Sequence, residues 1–169
     1  MLNINETYNN LGEKSLQILG MHALSGCDTT SYTCGKGKGS AINALSKTDL
    51  SELDTVLEYL SATHVAIMEC ARKFFAVFFG FEPTISMEDA RLKMFLKSKI
   101  KIQNLPPTST NLMLHALRAH LQVMLWISAD QPRPPPESED ITMFGWLYDD
   151  GIPMPAVSEE TIAPKLSLM

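Results

Sequence analysis

The chain has 169 residues, 45% hydrophobic and 20% charged, a composition typical of one globular domain with a real core. Its formal net charge of −5 excludes an overall basic surface for nucleic acid, so any such binding must use a local patch. Three cysteines argue against a disulfide framework, and no apolar run approaches the length of a membrane span, so we expect no membrane contact and an intracellular location, the nucleus included.

The first part of the chain predicts two helices joined by a glycine-rich turn. Apolar residues recur at helical spacing between Glu13 and Leu24, and Gly26 is placed to end that helix. The second helix is expected over 40–45, with Ser40 as its N-cap.

Three further helices are predicted from capping residues and from apolar spacing. A short helix is expected over 48–60 with Thr48 as its N-cap, and a strongly apolar helix is expected over 63–79, ended by Gly80. Ser86 begins another helix, and an acidic residue three positions later makes this start resemble a capping box.

The helix that follows Ser86 carries the one dense basic run of this acidic chain. No acidic residue interrupts the run, whose members are Arg91, Lys93, Lys97, Lys99 and Lys101. One interpretation is a solvated helix end, because the helix dipole favours lysines near a C-terminus. The other interpretation is a strip that contacts a phosphate backbone.

The longest predicted helix runs over 111–129, with Thr108 or Thr110 as its cap. The prolines of Leu105-Pro106-Pro107-Thr108 lead into it. It is apolar around most of its circumference, so we expect it to be central to the core. His115 and His120 are expected to be packing or surface residues rather than metal ligands. The predicted core includes Met68, Phe75, Phe78, Leu117, Leu121 and Trp126.

Less regular structure is predicted after this helix. Four prolines indicate an extended linker over 131–139. Asp149-Asp150-Gly151 is a hairpin-type turn signal, and Pro153 and Pro155 limit the second strand to an edge. The tail from Ala156 onward is expected to be poorly ordered.

One stretch, 19–45, contains residue types whose spacing indicates chemistry. Gly26-Cys27-Asp28 places a carboxylate at a helix end, where it can hold a hard cation, and the alternative is a turn residue that accepts local N–H bonds. The turn that follows opens a helix and presents bare backbone N–H groups suited to phosphate. The predicted phosphate contacts are Gly35, Lys36, Gly37, Lys38, Gly39 and Ser40.

Two resemblances start from this stretch. Gly26-Cys27-Asp28 followed by G-x-G-x-x-x-A resembles the last acidic motif and helix-turn-helix of flap-endonuclease-like (PIN-like) nucleases. Nearly the whole chain resembles the C-terminal part of an uncharacterised, often transposon-associated family of animal proteins with the motif H-A-x-x-G-C-D-T-T-S. The other matching segments are Leu105-Pro106-Pro107-Thr108, Arg118-Ala119-His120, Trp126, Gly145-Trp146 and Asp150-Gly151.

The nuclease resemblance implies a role for each part of the motif. Asp28 would help to hold catalytic Mg²⁺, and Gly35, Gly37 and Ala41 would take the helix-hairpin-helix positions that meet a DNA phosphate. Two-metal hydrolysis needs several carboxylates, and only two acidic residues precede Asp28. The catalytic cluster is therefore expected to be incomplete in this chain.

The predicted fold is mainly α. It is a helical bundle-like domain with a helix-hairpin-helix-like segment, similar to the C-terminal part of a PIN-like α/β fold, and a proline-broken tail. Its parts are the motif segment 1–47, the helical domain 48–130, and the linker, hairpin and tail 131–169.

The predicted function is a nuclease-derived DNA-binding module that contacts the DNA backbone and is catalytically incomplete alone. A protein partner would supply the missing acidic domain. Two alternatives stay open: a structural or protein-interaction helical domain without nucleic-acid binding, and an active nuclease that borrows carboxylates from a partner chain.

Overall fold

The computed structural model of the chain describes residues 12–59, 61–97, 100–131 and 140–158. More than half of these residues are helical, which confirms the prediction of a mainly α fold. The α-helices are α1 Ile18–Leu24, α2 Lys38–Lys47, α3 Glu52–Thr55, α4 His64–Phe78, α5 Met87–Phe95 and α6 Ser109–Ile127. Short 3₁₀ turns cover Gly12–Gln17, Ile102–Asn104 and Ile141–Phe144, and the strands are β1 Trp146–Asp149 and β2 Ile152–Pro155.

Three helices, α4, α5 and α6, begin directly after a residue whose side chain caps them. In each case a side-chain oxygen accepts a hydrogen bond from the backbone N–H three residues later, at 3.2 Å for Thr63, 3.0 Å for Ser86 and 3.3 Å for Thr108. These bonds satisfy N–H groups that have no partner within their helix. α4 and α5 start as predicted, whereas α6 begins at Ser109, two residues before its predicted start at position 111.

Two predicted helix starts are wrong. α2 begins at Lys38, so Ser40 lies inside its first turn and does not cap it. α3 begins after Ser51 rather than after Thr48 and lasts a single turn. The reason is local, because the Asp49 side chain accepts a bond from Ser51 N at 3.1 Å and this turn competes with helix.

The core forms around α6, against which α1 and α4 pack. On α4 the Phe74 and Phe78 rings stack with their centroids 5.3 Å apart. Trp126 and Met68 are half-buried at the core margin rather than inside it. The other four predicted core residues are buried, namely Phe75, Phe78, Leu117 and Leu121.

Strands β1 and β2 form the antiparallel hairpin that the Asp-Gly signal predicts. Asp150 and Gly151 have φ values of 48° and 77°, the left-handed pair that a type I′ turn requires. The hairpin reaches α6 through Gly145, where a Cβ would lie 2.5 Å from the Leu114 carbonyl oxygen. A side chain at position 145 would therefore push the hairpin away from the helix.

Residues of the predicted motif segment and of the predicted helical domain share one core, because Leu24 and Leu45 lie in the same buried cluster as Phe74 and Leu117. The prolines of the predicted linker and most of the predicted tail lie outside the described residues. The PIN-like and helix-hairpin-helix assignments stay predictions. Within the described ranges, no helix combines the length and the apolar character needed to cross a bilayer.

Candidate nucleic-acid interface

The Gly-Cys-Asp-Thr-Thr motif forms a tight turn at the end of α1. Gly26 has a φ of 103°, and a Cβ there would lie 2.7 Å from a Tyr32 ring atom, so glycine is required. The Cys27 and Thr30 backbones exchange two N–H···O bonds of 3.3 and 3.2 Å. The Thr30 hydroxyl donates to Ala23 O at 2.8 Å and accepts from Cys27 N at 3.0 Å. This threonine therefore holds the turn together.

Asp28, the predicted Mg²⁺ ligand, is exposed on this turn. The pKa of the nearby His22 is lowered by burial and by the charge of Lys38, and Asp28 offsets part of that lowering. In the part of the chain that the structure describes, no three His, Cys, Asp or Glu side chains gather into a metal-binding group. The described residues do not make the carboxylate cluster of a two-metal site, so Mg²⁺ binding stays a prediction.

Lys38, a predicted phosphate contact, is turned toward the end of α1. Its ammonium donates to His22 O at 2.6 Å, to Ser25 Oγ at 2.8 Å and to Gly26 O. Burial lowers the pKa of Lys38, and its three N–H donors match these three acceptors in number. The Lys38 charge therefore stabilises the negative end of α1 and is already engaged there.

The start of α2 is open to an anion. Gly37 is its N-cap, no side chain caps the helix, and no acidic residue lies in its first turn. Ser40 N and Ala41 N bond to Gly37 O at 3.0 and 3.2 Å, which leaves the N–H groups of Lys38 and Gly39 without a partner in the helix. A Cβ at Gly37 or Gly39 would meet nothing within 4 Å, so a ligand has room to approach.

Lys36 lies just before this helix start, on an aromatic platform at the end of α4. Its ammonium is 5.4 Å from the Phe78 ring centroid and 5.1 Å from that of Phe79. Burial lowers the pKa of Lys36, and its Nζ donates no hydrogen bond to any described residue. The rings hold the Lys36 charge in place by cation–π attraction and leave its N–H donors available.

Arg91 does not belong to an exposed basic strip, because its guanidinium is buried and donates to Pro106 O. Burial lowers the pKa of Arg91, and the charge of Glu88 acts in the opposite direction. The arginine therefore fixes the proline segment that leads into α6. The sequence interpretation missed this role because the acceptor is a backbone carbonyl fifteen residues away.

The structure describes three of the four lysines in the predicted basic run. Lys93, Lys97 and Lys101 are exposed, whereas Lys99 lies outside the described residues. The Lys97 ammonium is 5.7 Å from the Phe81 ring centroid, two residues after the ring under Lys36.

Gly35 brings the glycine turn close to the end of this strip. A Cβ at Gly35 would lie 3.6 Å from Asn104 Oδ1, and Asn104 N donates to Lys101 O at 2.9 Å. We define the α2 lysine surface as the open start of α2 together with Lys36, Lys97 and Lys101.

Three polar side chains are buried along α6, and each bonds to a backbone carbonyl of another segment. They are His115, Arg118 and His120. His115 Nε2 donates to Leu24 O at 2.8 Å, and His120 Nδ1 lies 2.9 Å from Leu57 O. Burial lowers the pKa of His115 to about 4, so the ring is neutral at pH 7. Both histidines are therefore packing residues, which is one of the two alternatives predicted for them. They also donate hydrogen bonds to carbonyls of distant segments.

Comparison of the chain with protein-family models, with curated proteins and with solved structures finds no significant match. The resemblances to the animal family and to PIN-like nucleases therefore stay predictions.

Proposed function

We propose that the chain is a nuclease-derived module that binds the DNA backbone through the α2 lysine surface. The observation that carries the proposal is the uncapped start of α2 beside Lys36. Free N–H groups and the positive end of a helix dipole both favour a phosphate at such a position. Lys36, Lys97 and Lys101 add positive charge around the end of α4 and the turn next to it.

The charges of the molecule determine what kind of binding to expect. A net charge of −5 opposes the approach of DNA, so affinity is weak and falls steeply as salt rises. Three lysine–phosphate contacts give a slope of log K against log salt of about −3. Contacts to phosphate carry no base identity, so sequence preference is small.

Catalysis by this chain alone is not part of the proposal. Two-metal hydrolysis places several carboxylates around two cations, and Asp28 is one exposed carboxylate. A protein partner that supplies an acidic domain is the companion proposal. Incubation of the chain with Mg²⁺ or Mn²⁺ and flapped DNA tests this point, because cleavage that Asp28→Ala abolishes would contradict it.

The binding test is fluorescence anisotropy with a labelled duplex. Lys36→Glu combined with Lys97→Glu should weaken binding to all duplexes alike, whereas Lys47→Glu, at the other end of α2, should change it little. Lys38 is left intact because its substitution would disturb the end of α1. Absence of binding at low salt, or binding indifferent to Lys36 and Lys97, would contradict the proposal.

The second candidate is a protein-interaction domain, and the hairpin favours it. Apolar side chains are exposed on both strands, with 41% of Leu147, 55% of Tyr148, 62% of Ile152 and 45% of Met154 accessible. Among the described residues this sheet has two strands, so each strand has one edge with no paired strand, and a strand of a protein partner can add at such an edge. A negative DNA-binding result would put this candidate first.

A further inference from the structure

A cavity of about 330 Å³ lies between the loop 31–34, α6 and the segment that leads into α6. This volume is at the lower end of the range of small-molecule sites, roughly 300 to 1,000 Å³. The cavity is not part of the α2 lysine surface, and the proposed function does not use it.

The cationic residue of the cavity is Arg118. Only 7% of Arg118 is exposed, and its Nη1 donates to Gly145 O at 2.6 Å and to Ala156 O at 3.1 Å. Among the described residues, Nε and Nη2 of Arg118 donate no hydrogen bond. The guanidinium is therefore fixed in position and still has N–H donors to offer a ligand.

The Arg118 charge has no counter-charge in the described part of the chain. Among the described residues no carboxylate lines the cavity and none forms an ion pair with Arg118. Burial lowers the pKa of Arg118, and no described acidic residue raises it. A buried cation without a counter-charge is costly, so the cavity favours an anion over a neutral ligand.

The other residues that line the cavity limit the charge and the polarity of a ligand that fits it. His115 also lines the cavity and is neutral, so Arg118 supplies a single positive charge. One planar guanidinium with free N–H groups fits one carboxylate. Phe75, Leu105 and Val157 make part of the wall apolar, which suits a ligand with a hydrocarbon or aromatic body.

We propose that this cavity is a binding site for a small organic carboxylate with an apolar body, held by Arg118. The carboxylate accepts hydrogen bonds from Nε and Nη2 of Arg118, and the apolar body packs against Phe75 and Leu105. This inference goes beyond the proposed DNA binding, and either can fail without the other.

The test uses benzoate as the carboxylate, benzamide as its neutral analogue and phenyl phosphate as the dianion. Cys34 reports occupancy because it is exposed and lines the cavity, whereas Cys27 and Cys70 are buried. The rate of Cys34 alkylation by iodoacetamide, measured by mass spectrometry, should fall saturably with benzoate. Benzamide should leave the rate unchanged, and phenyl phosphate should protect less than benzoate.

A matched pair of variants keeps the test independent of the fold. Val157 is 79% exposed at the cavity wall, so Val157→Asp and Val157→Asn leave the core intact and differ by one charge. Val157→Asp should weaken benzoate binding at least about tenfold relative to Val157→Asn. Arg118→Met should remove protection. Arg118 also anchors the hairpin, so if Arg118→Met fails to fold, the comparison of the two Val157 variants decides the test.

Three results would overturn the proposal: equal protection by benzamide and benzoate, no saturable protection by benzoate, or equal benzoate affinity in the two Val157 variants. Tighter binding of phenyl phosphate than of benzoate would overturn the carboxylate assignment.

Discussion

Replacing Lys38 with methionine should destabilise the fold, although the Lys38 ammonium at the C-terminal end of α1 is only partly buried. The substitution keeps most of the aliphatic stem and removes the charge that binds His22 O, Ser25 Oγ and Gly26 O. Gly26 O then loses the ammonium donor, whereas His22 O keeps a bond of 3.3 Å from Ser25 Oγ. The Ser25 hydroxyl loses less, because it still donates to Met21 O at 2.7 Å.

The magnitude follows from the half-buried position of Lys38. A hydrogen bond to a charged group contributes about 1.5 to 3 kcal/mol, and water replaces part of that where the group is accessible. A cation at a helix C-terminus adds about 0.3 to 1 kcal/mol. We therefore expect Lys38→Met to lower the free energy of unfolding by about 2 kcal/mol.

Urea denaturation followed by circular dichroism measures this loss as a lower midpoint at an unchanged slope. Lys47→Met is the matched control, because Lys47 is exposed in the last turn of α2 and should cost no more than about 0.5 kcal/mol. A midpoint shift for Lys38→Met no larger than that of the control would refute the assignment of Lys38 to the end of α1.

Three other measurements test the described packing. The pKa of His115 is about 4 in the folded chain and about 6.5 when unfolded, so stability present above pH 6.5 should fall by about 3 kcal/mol on acidification to pH 4. His115→Gln should flatten that part of the urea profile. Iodoacetamide should alkylate Cys34 far faster than buried Cys70, whose pKa burial raises to about 12, and equal rates would contradict this. Gly26→Ala should lose about 2 kcal/mol or more, because its Cβ would clash at a φ of 103°, whereas Gly39→Ala should lose nothing measurable by the same urea assay.

Features that depend on a few neighbouring residues could be predicted from the sequence. The predicted caps at Ser86 and Thr108 bond to N–H groups three residues away. The hairpin turn needs only Asp150 and Gly151 in left-handed conformations. Such signals are complete within four or five residues, so no tertiary contact is needed to interpret them.

The carbonyl partners of two charged residues and one neutral histidine could not be predicted, because those carbonyls lie far along the chain. Lys38 bonds to a carbonyl sixteen residues away, Arg91 to one fifteen residues away and His115 to one ninety-one residues away. A carbonyl has no sequence signature, so a lysine that serves one resembles a lysine that faces DNA. The glycine turn does lead into a helix, but that helix begins at Lys38 instead of being capped by Ser40, and Lys38 bonds to the end of α1.

The most direct test of DNA-backbone binding is the salt dependence of duplex affinity for single lysine variants. Anisotropy titrations at several salt concentrations give the slope of log K against log salt for wild type, Lys36→Ala and Lys47→Ala. A phosphate contact through Lys36 predicts a slope shallower by about 0.9 in Lys36→Ala and an unchanged slope in Lys47→Ala. Equal slopes in all three proteins, or no binding at low salt, would contradict it.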